Sequence, residues 1–314
     1  MAARPRVTIL GSLNTDISVA VPHLPAPGET ILGSDAVIAP GGKGANQAVA
    51  AARLGGRAAM AGCTGDDDFG AALTGALAAE GVDVSAVRAV GGKATGMALI
   101  TIDPAGENVI TVAPGANAET GMTEVGAALA GGSELLIISA EIPVPAVALA
   151  LAGAREAGLP SLLNLAPAPP GPAELLAAGP GWLVVNETEA AAVLGRPVTG
   201  MAGALAAAAD LRAAGPRNVV VTAGAQGAAL AAAGPGTAEP VPGLRVRSVD
   251  AVGAGDAFVA ALGVALAAGV PAAQAVRAAC AAGATATTRR GTQDALPRPA
   301  GILAATGIRW PLPG

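Results

Sequence analysis

The run Asp250-Ala251-Val252-Gly253-Ala254-Gly255-Asp256-Ala257-Phe258 is the strongest local candidate for chemistry. A β-rich run, Leu244 to Val249, precedes it, and an alanine-rich helical stretch follows. Two glycines let the backbone turn sharply. The N–H groups of Gly253, Ala254, Gly255 and Asp256 then converge at a helix N-terminus, where free amides and the helix dipole bind anions. Asp256 stands where an acceptor would face a substrate hydroxyl; the competing local role is a helix cap. A dinucleotide-binding fingerprint does not fit, because Phe258 takes the third glycine position.

A second glycine-rich run, Gly41-Gly42-Lys43-Gly44-Ala45-Asn46-Gln47-Ala48, opens another helix. Its glycines permit close approach of a ligand to the backbone. Lys43 and Asn46 add groups of the kind that read sugar hydroxyls. It is no Walker P-loop, since Gly44 follows the lysine in place of Ser or Thr. Asn14-Thr15-Asp16, read as the end of the first strand, places polar groups near the same strand ends, where open α/β sheets bind ligands. Turn formation is the alternative for Asn14 and Asp16.

Two further runs follow buried strands. Asn186-Glu187-Thr188-Glu189 reads as a binding segment, a capping segment or a glycosylation sequon. Thr222-Ala223-Gly224-Ala225-Gln226-Gly227 is a glycine-bearing loop, weak evidence by itself. Asp66-Asp67-Asp68 lacks the spacing of a calcium loop and is expected to be a solvated helix start. His23, the single histidine, excludes a multi-histidine metal site and is expected in a surface loop.

The elements that must carry these groups alternate. Strands are predicted at Val7 to Leu10, Leu135 to Ser139, Ser161 to Leu165, Trp182 to Val185 and Asn218 to Thr222. Helices are predicted at Ala45 to Leu54, Phe69 to Ala79, Val144 to Ala157, Gly203 to Ala214, Asp256 to Ala268 and Ala272 to Thr288. That alternation, with continuous apolar strands such as Leu135-Leu136-Ile137-Ile138, predicts a parallel sheet covered on both faces. Ile17 to Ile38 and Met97 to Val112 break the pattern and read as hairpin material outside it. The expected fold is α/β: one domain over 1–314, with a Rossmann-like sheet flanked by helices on both faces. A small β-sheet lid is expected from about 15–40 and 95–113.

Composition narrows the partners. Only 13% of the 314 residues are charged, against about 25% in ordinary domains. The net charge is −5, which argues against nucleic acid or an anionic membrane as partner. The apolar run from Asp256 to Ala273 carries Gly263, Gly269 and Pro271 and reads as a buried helix. Cys63 and Cys280 stand far apart, as expected of free buried thiols. With no secretory pattern visible, a cytoplasmic location is expected.

Taken together, the motifs resemble the PfkB-type carbohydrate kinases, most closely those that phosphorylate ribose. The resemblance runs from Val7 to about Leu296. It rests on Gly11 to Asp16, Pro27-Gly28-Glu29-Thr30, Gly41 to Ala50, Asn186 to Glu189 and Gly253 to Asp256, in that order. It implies ATP-dependent phosphorylation of ribose at O5, with Asp256 as base and the amides of Gly253, Ala254 and Gly255 as anion cradle. Ribose would meet Asn14, Asp16, Gly42, Lys43, Gly44, Ala45, Asn46 and Glu141. ATP would meet Asn186, Glu189, Thr222, Ala223, Gly224, Ala225, Gln226, Gly227, Gly255 and Cys280, with Mg2+ ordered through water on Glu189. A monovalent cation, K+ by analogy, would map to Asp250, Val252, Ala286, Arg289, Gly291 and Ala295. The lid would form a homodimer contact. Three departures bear on this: Ala251 where relatives carry Thr, Cys280 where His or Asn is common, and Ala295 where Ser contributes an oxygen. A kinase for deoxyribose, a nucleoside or pseudouridine is the alternative enzyme, and a non-catalytic sugar-binding protein the alternative of another class.

Overall fold

In the computed structural model, which describes residues 4–312, thirteen strands and ten α-helices are arranged around two sheets. The strands are β1 Arg6–Leu10, β2 Asn14–Ala20, β3 Val37–Gly41, β4 Arg57–Gly65, β5 Asp83–Val90, β6 Gly96–Ile102, β7 Asn108–Ala113, β8 Leu135–Ser139, β9 Ser161–Asn164, β10 Trp182–Asn186, β11 Asn218–Thr222, β12 Gly227–Ala231 and β13 Glu239–Pro242. The helices are α1 Lys43–Arg53, α2 Asp68–Ala79, α3 Met122–Ala130, α4 Val144–Glu156, α5 Ala173–Ala177, α6 Glu187–Leu194, α7 Gly200–Ala213, α8 Ala254–Ala267, α9 Ala272–Ala286 and α10 Pro299–Thr306.

The large sheet runs β13-β12-β11-β10-β9-β8-β1-β4-β5. It is parallel except at β12, which is antiparallel to both its neighbours. Strand β8 shows why both faces are covered. Leu135 and Ile137 enter a core with α1, α8 and α9, while Leu136 and Ile138 enter one with α3, α4 and α7. A period of two in a fully apolar strand thus feeds two cores. Small residues let α8 lie close to the sheet: a Cβ on Gly263 would sit 2.6 Å from Ile137 Cδ1.

The second sheet, β3-β2-β6-β7, pairs β2 parallel to β6 and antiparallel to β3. It takes up the two segments whose pattern departs from the strand–helix alternation. Many of its apolar side chains face solvent, among them Val37, Ile38, Leu99, Val109, Ile110 and Val112.

Three expectations change here. The first strand ends at Leu10, and Asn14 and Asp16 lie on β2 of the second sheet. Leu244 to Val249 is no strand; after Pro240 and Pro242 on the edge strand β13 the chain leaves the sheet, because proline offers no ladder donor. Strand β4, central between β1 and β5, is absent from the sequence prediction, since its sequence Arg-Ala-Ala-Met-Ala-Gly-Cys-Thr-Gly has little β preference. Asp67 is also more than a solvated start. It caps α2 through Gly70 N (2.8 Å) and accepts from Thr95 N (2.8 Å) and Thr95 Oγ1 (2.5 Å), at the foot of β6. Cys63 and Cys280 are buried free thiols.

Candidate active site

Strand order reverses beside β1: the chain proceeds outward through β4 on one side and through β8 on the other. Ligands of open α/β sheets bind in the crevice beyond such a switch point. Three loops meet there. Ser12, after β1, donates to Glu141 Oε2, after β8, at 2.5 Å. The same oxygen accepts from Lys43 N at 3.3 Å and from Asn14 Nδ2 at 3.4 Å. Asn14 Oδ1 is held in turn by Asn117 Nδ2 at 2.7 Å. Asn117 further accepts from Leu13 N and donates to Leu13 O, so its buried amide fixes the turn and the side chain together.

The glycines before α1 are steric requirements. Gly42 has φ +89°, and a Cβ there would lie 2.6 Å from Asn14 N. A Cβ on Gly44 would lie 2.7 Å from both Gly11 C and Ser12 N. The two loops are therefore in backbone contact, which brings Lys43 beside Asn14, Asp16 and Glu141.

Helix α1 then packs on α8. Asn46 Nδ2 donates to Asp256 Oδ2 at 3.0 Å, and Gln47 Nε2 donates to Asp256 Oδ1 at 3.0 Å. Gln47 Nε2 also reaches Asn164 Oδ1 at 3.0 Å, at the end of β9. Asp256 is 8% exposed and does not cap its helix: the cap position is Gly253, at φ +75°, with no side-chain cap bond. The helix starts at Ala254, two residues earlier than expected, which puts Asp256 in its first turn. Gly253 makes the sharp turn. Gly255 does not; a Cβ there would meet nothing within 4 Å, so its smallness leaves open space beside the first-turn amides.

Two cavities join at this turn. One, of about 570 Å³, is lined by Thr222, Gly224, Ala225, Gly227, Gly255 and Cys280, and by Leu244, Arg245, Val246 and Ser248 from the irregular segment. The other, of about 230 Å³, is lined by Lys43, Asn164, Asn186, Glu189, Gly253 and Asp256. Thr222, Ala251, Gly255 and Phe258 border both. Of the expected nucleotide residues, Ala223 and Gln226 do not line either cavity. Ala223 is buried behind the loop, and Gln226 Oε1 accepts from Met201 N at 2.9 Å, holding the start of α7. Asn186 and Glu189 form a reciprocal capping box on α6, each bond 2.8 Å.

Among the described residues, Lys43 lies amid four carboxylates, Asp256, Glu141, Glu189 and Asp16. Burial works to lower its pKa, but these carboxylates outweigh burial and hold it above the usual lysine value. Burial, with Glu141 and Asp256 nearby, pushes Asp16 up to about 6. Burial also raises Asp256, against Lys43 and the two amide donors. Glu189 is raised by burial, against the Asn186 backbone bond and Lys43.

Of the residues expected for a monovalent cation, Asp250 and Val252 precede α8, while Ala286 ends α9 and Arg289, Gly291 and Ala295 follow it. Asp250 Oδ1 accepts from Val252 N at 3.0 Å and Oδ2 from Gly291 N at 3.2 Å, while Val249 N and Asp250 N both reach Thr287 O. Ala286 and Ala295 are buried beside them. Backbone carbonyls are the oxygen donors these residues offer a hard cation, and Ala295 adds no side-chain oxygen. For Mg2+, no group of three or more His, Cys, Asp or Glu among the described residues could cage a metal.

Sequence reasoning passed over Ser12, Gln47, Asn117 and Asn164. Ser12 and Gln47 sit inside the recognised runs but had no role assigned. Asn117 and Asn164 lie in no motif and are found only through their contacts.

A buried carboxylate where two cavities meet at a helix N-terminus is an arrangement suited to phosphoryl transfer. The family model described as pfkB family carbohydrate kinase matches residues 4–299, and the chain belongs to that family. Within it, the chain is 36% identical over 296 residues to the ribokinase of Haemophilus influenzae, covering 94% of this chain and 96% of that one. It is 36% identical over 303 residues to the ribokinase of Schizosaccharomyces pombe, covering 93% and 94%. Among solved structures, Arabidopsis thaliana ribokinase complexed with ribose and ATP superposes with a TM-score of 0.85 at 28% identity, covering 96% and 98%.

Proposed function

We propose that this chain transfers the γ-phosphoryl group of ATP to O5 of ribose, giving ribose 5-phosphate. The observation that carries the reading is the placement of Asp256. Both of its oxygens are oriented by amides, and it lines the smaller cavity with Lys43, next to the larger cavity of Thr222, Gly224, Ala225 and Gly227.

Phosphoryl transfer has a loose transition state, so positioning and charge stabilisation dominate. Asp256 orients the reacting hydroxyl and accepts its proton late, as the new P–O bond forms; action of this kind is worth roughly 10²- to 10⁴-fold. The first-turn amides of α8 cover charge developing on the transferred group. Lys43 is already surrounded by carboxylates, so the triphosphate must bring its own counter-ion. Mg2+ would supply that neutralisation when bound, and Glu189 and Asn186 in the smaller cavity would hold it through water. The second sheet serves as a lid that keeps water from competing for the phosphoryl group. The apolar face it exposes is the surface for a homodimer.

The test is ADP production from Mg-ATP with ribose, deoxyribose, fructose, adenosine and pseudouridine, each in potassium and in sodium. Ribose-dependent turnover is expected, falling in sodium. Turnover with another panel member alone would overturn the substrate while keeping the chemistry. Sugar binding with no turnover would leave a non-catalytic binding protein.

A further inference from the structure

The loop between α9 and α10 is tied to α1 at two points. Arg53, in the last turn of α1, donates through Nη1 to the carbonyls of Gln293 at 2.5 Å and Leu296 at 3.1 Å. Its remaining nitrogens grip Glu80, with Nε–Oε2 at 3.0 Å and Nη2–Oε1 at 2.6 Å. Two helical turns earlier, Asn46 Oδ1 accepts from Gln293 Nε2 at 3.2 Å. One loop residue is thus held by its backbone at one end of the helix and by its side chain at the other.

The amide orientations in this chain are forced. An ionised Asp256 only accepts, so Asn46 must turn its Nδ2 to Asp256 Oδ2. Asn46 Oδ1 is then left facing Gln293, and Gln293 must answer with its NH₂ group. The donors run in one direction, from Gln293 to Asn46 to Asp256. Gln47 cannot replace Asn46 in this role, because both hydrogens of its Nε2 are already given to Asp256 and Asn164.

We propose that Gln293 is a positioning residue for phosphoryl transfer. It locks the Asn46 carboxamide so that a donor reaches Asp256 Oδ2, and it makes the conformation of the α9–α10 loop a determinant of turnover. This deepens the sugar-kinase reading and rests on it. Gln293 contacts neither Asp256 nor either cavity at the α8 turn directly, so its effect must pass through Asn46.

Three variants of similar size separate positioning from loop support. Gln293→Lys keeps a donor toward Asn46 Oδ1, Gln293→Met offers neither donor nor acceptor, and Gln293→Glu offers only an acceptor. With Glu at 293, Asn46 turns its Nδ2 outward and sets its oxygen against Asp256. Turnover is expected to fall about tenfold or more in Gln293→Glu, less in Gln293→Met and least in Gln293→Lys, the loss expected for one bond to a charged group. The KM for ATP and the melting temperature should stay near wild type. Independently of any substrate, the Asn46 side-chain amide resonance in ¹⁵N-labelled protein should shift in Gln293→Glu and hold in Gln293→Lys. Equal turnover in all three variants, losses that track melting temperature, or an unmoved Asn46 resonance in Gln293→Glu would each overturn the proposal. A wild-type chain inactive on every sugar would sink the kinase reading instead, and the resonance would still test the relay.

Discussion

Gln47 and Asp256 face each other across the contact of α1 and α8, with Nε2 3.0 Å from Oδ1. Since Asn46 takes the other oxygen, each Asp256 oxygen has one amide donor and further lone-pair capacity for a substrate hydroxyl. The carboxylate is pinned before any ligand arrives, so little reorganisation remains at the moment of reaction.

Asp256→Asn should therefore keep the fold and lose the chemistry. The new side chain has the same shape, and the cost of burying a charge disappears, which offsets the donor-against-donor contact it creates with Gln47 or Asn46. Turnover should drop at least about 10²-fold, the lower end of general-base effects, with sugar affinity within a few-fold of wild type. Near-normal turnover in that variant would remove Asp256 from the mechanism.

Asp16 gives a prediction in pH. Its carboxyl titrates at about 6 in the fold against 3.8 for an unperturbed Asp, with burial the largest cause. The unfolded chain thus releases that proton more readily. Stability on this account is greatest below about pH 4, declines as the pH rises toward 6, and stays low above it. Two units correspond to at most about 3 kcal/mol. Asp16→Asn should melt higher than wild type at pH 8 and equal to it near pH 4, while binding the sugar more weakly. Melting curves at the two pH values check the sign; a constant offset would refute the titration as its cause.

Much of this site is legible in the sequence because its constraints are local. Gly42 needs a positive φ, Gly253 turns into a helix, and the runs around Lys43 and Asp256 announce both. The buried strands are equally plain, since Leu135 to Ile138 are apolar on both faces. What escapes is whatever depends on partners distant in sequence. Asn117 meets Asn14 across 103 residues and Gln293 meets Asn46 across 247, with no local pattern to mark either. The composition of β4 also hides it: alanine and glycine there serve close packing against Gly11 and Leu13, and carry no strand signal. The run Leu244 to Val249 has β-type residues but no neighbouring strand to pair with, so it becomes the wall of the larger cavity.

Two glycines of the site should respond oppositely to alanine. At Gly44 the added Cβ lies 2.7 Å from the backbone of Gly11 and Ser12, which cannot retreat without moving β1. Gly44→Ala should cost about 1–3 kcal/mol of stability, the usual range for overpacking. At Gly255 the Cβ enters open space in the first turn of α8. Gly255→Ala should be neutral or stabilising by up to about 1 kcal/mol through the unfolded chain. Yet it should raise the KM for ATP or abolish turnover, because the methyl stands where phosphate must approach. Chemical denaturation and initial rates on both variants would decide, and full activity of Gly255→Ala would show that phosphate lies elsewhere.

The second sheet supports a final prediction. All six residues of β7 are exposed, and the strand register puts Val109, Leu99 and Ile38 on one face, keeping 52%, 48% and 59% of their surface accessible. Strands β3 and β7 are both edges. An apolar face with two open edges is a liability unless a partner covers it. A second copy of the chain is the occupant expected, through a self-complementary contact. Light scattering should give a dimer for wild type. Ile38→Lys with Val109→Lys should give a monomer whose main core melts unchanged, because these side chains enter neither core cluster. If the dimer holds the lid over the sugar, that monomer should show a raised KM for sugar and an unaltered KM for ATP. A wild-type chain that stays monomeric at high concentration would refute the covered face.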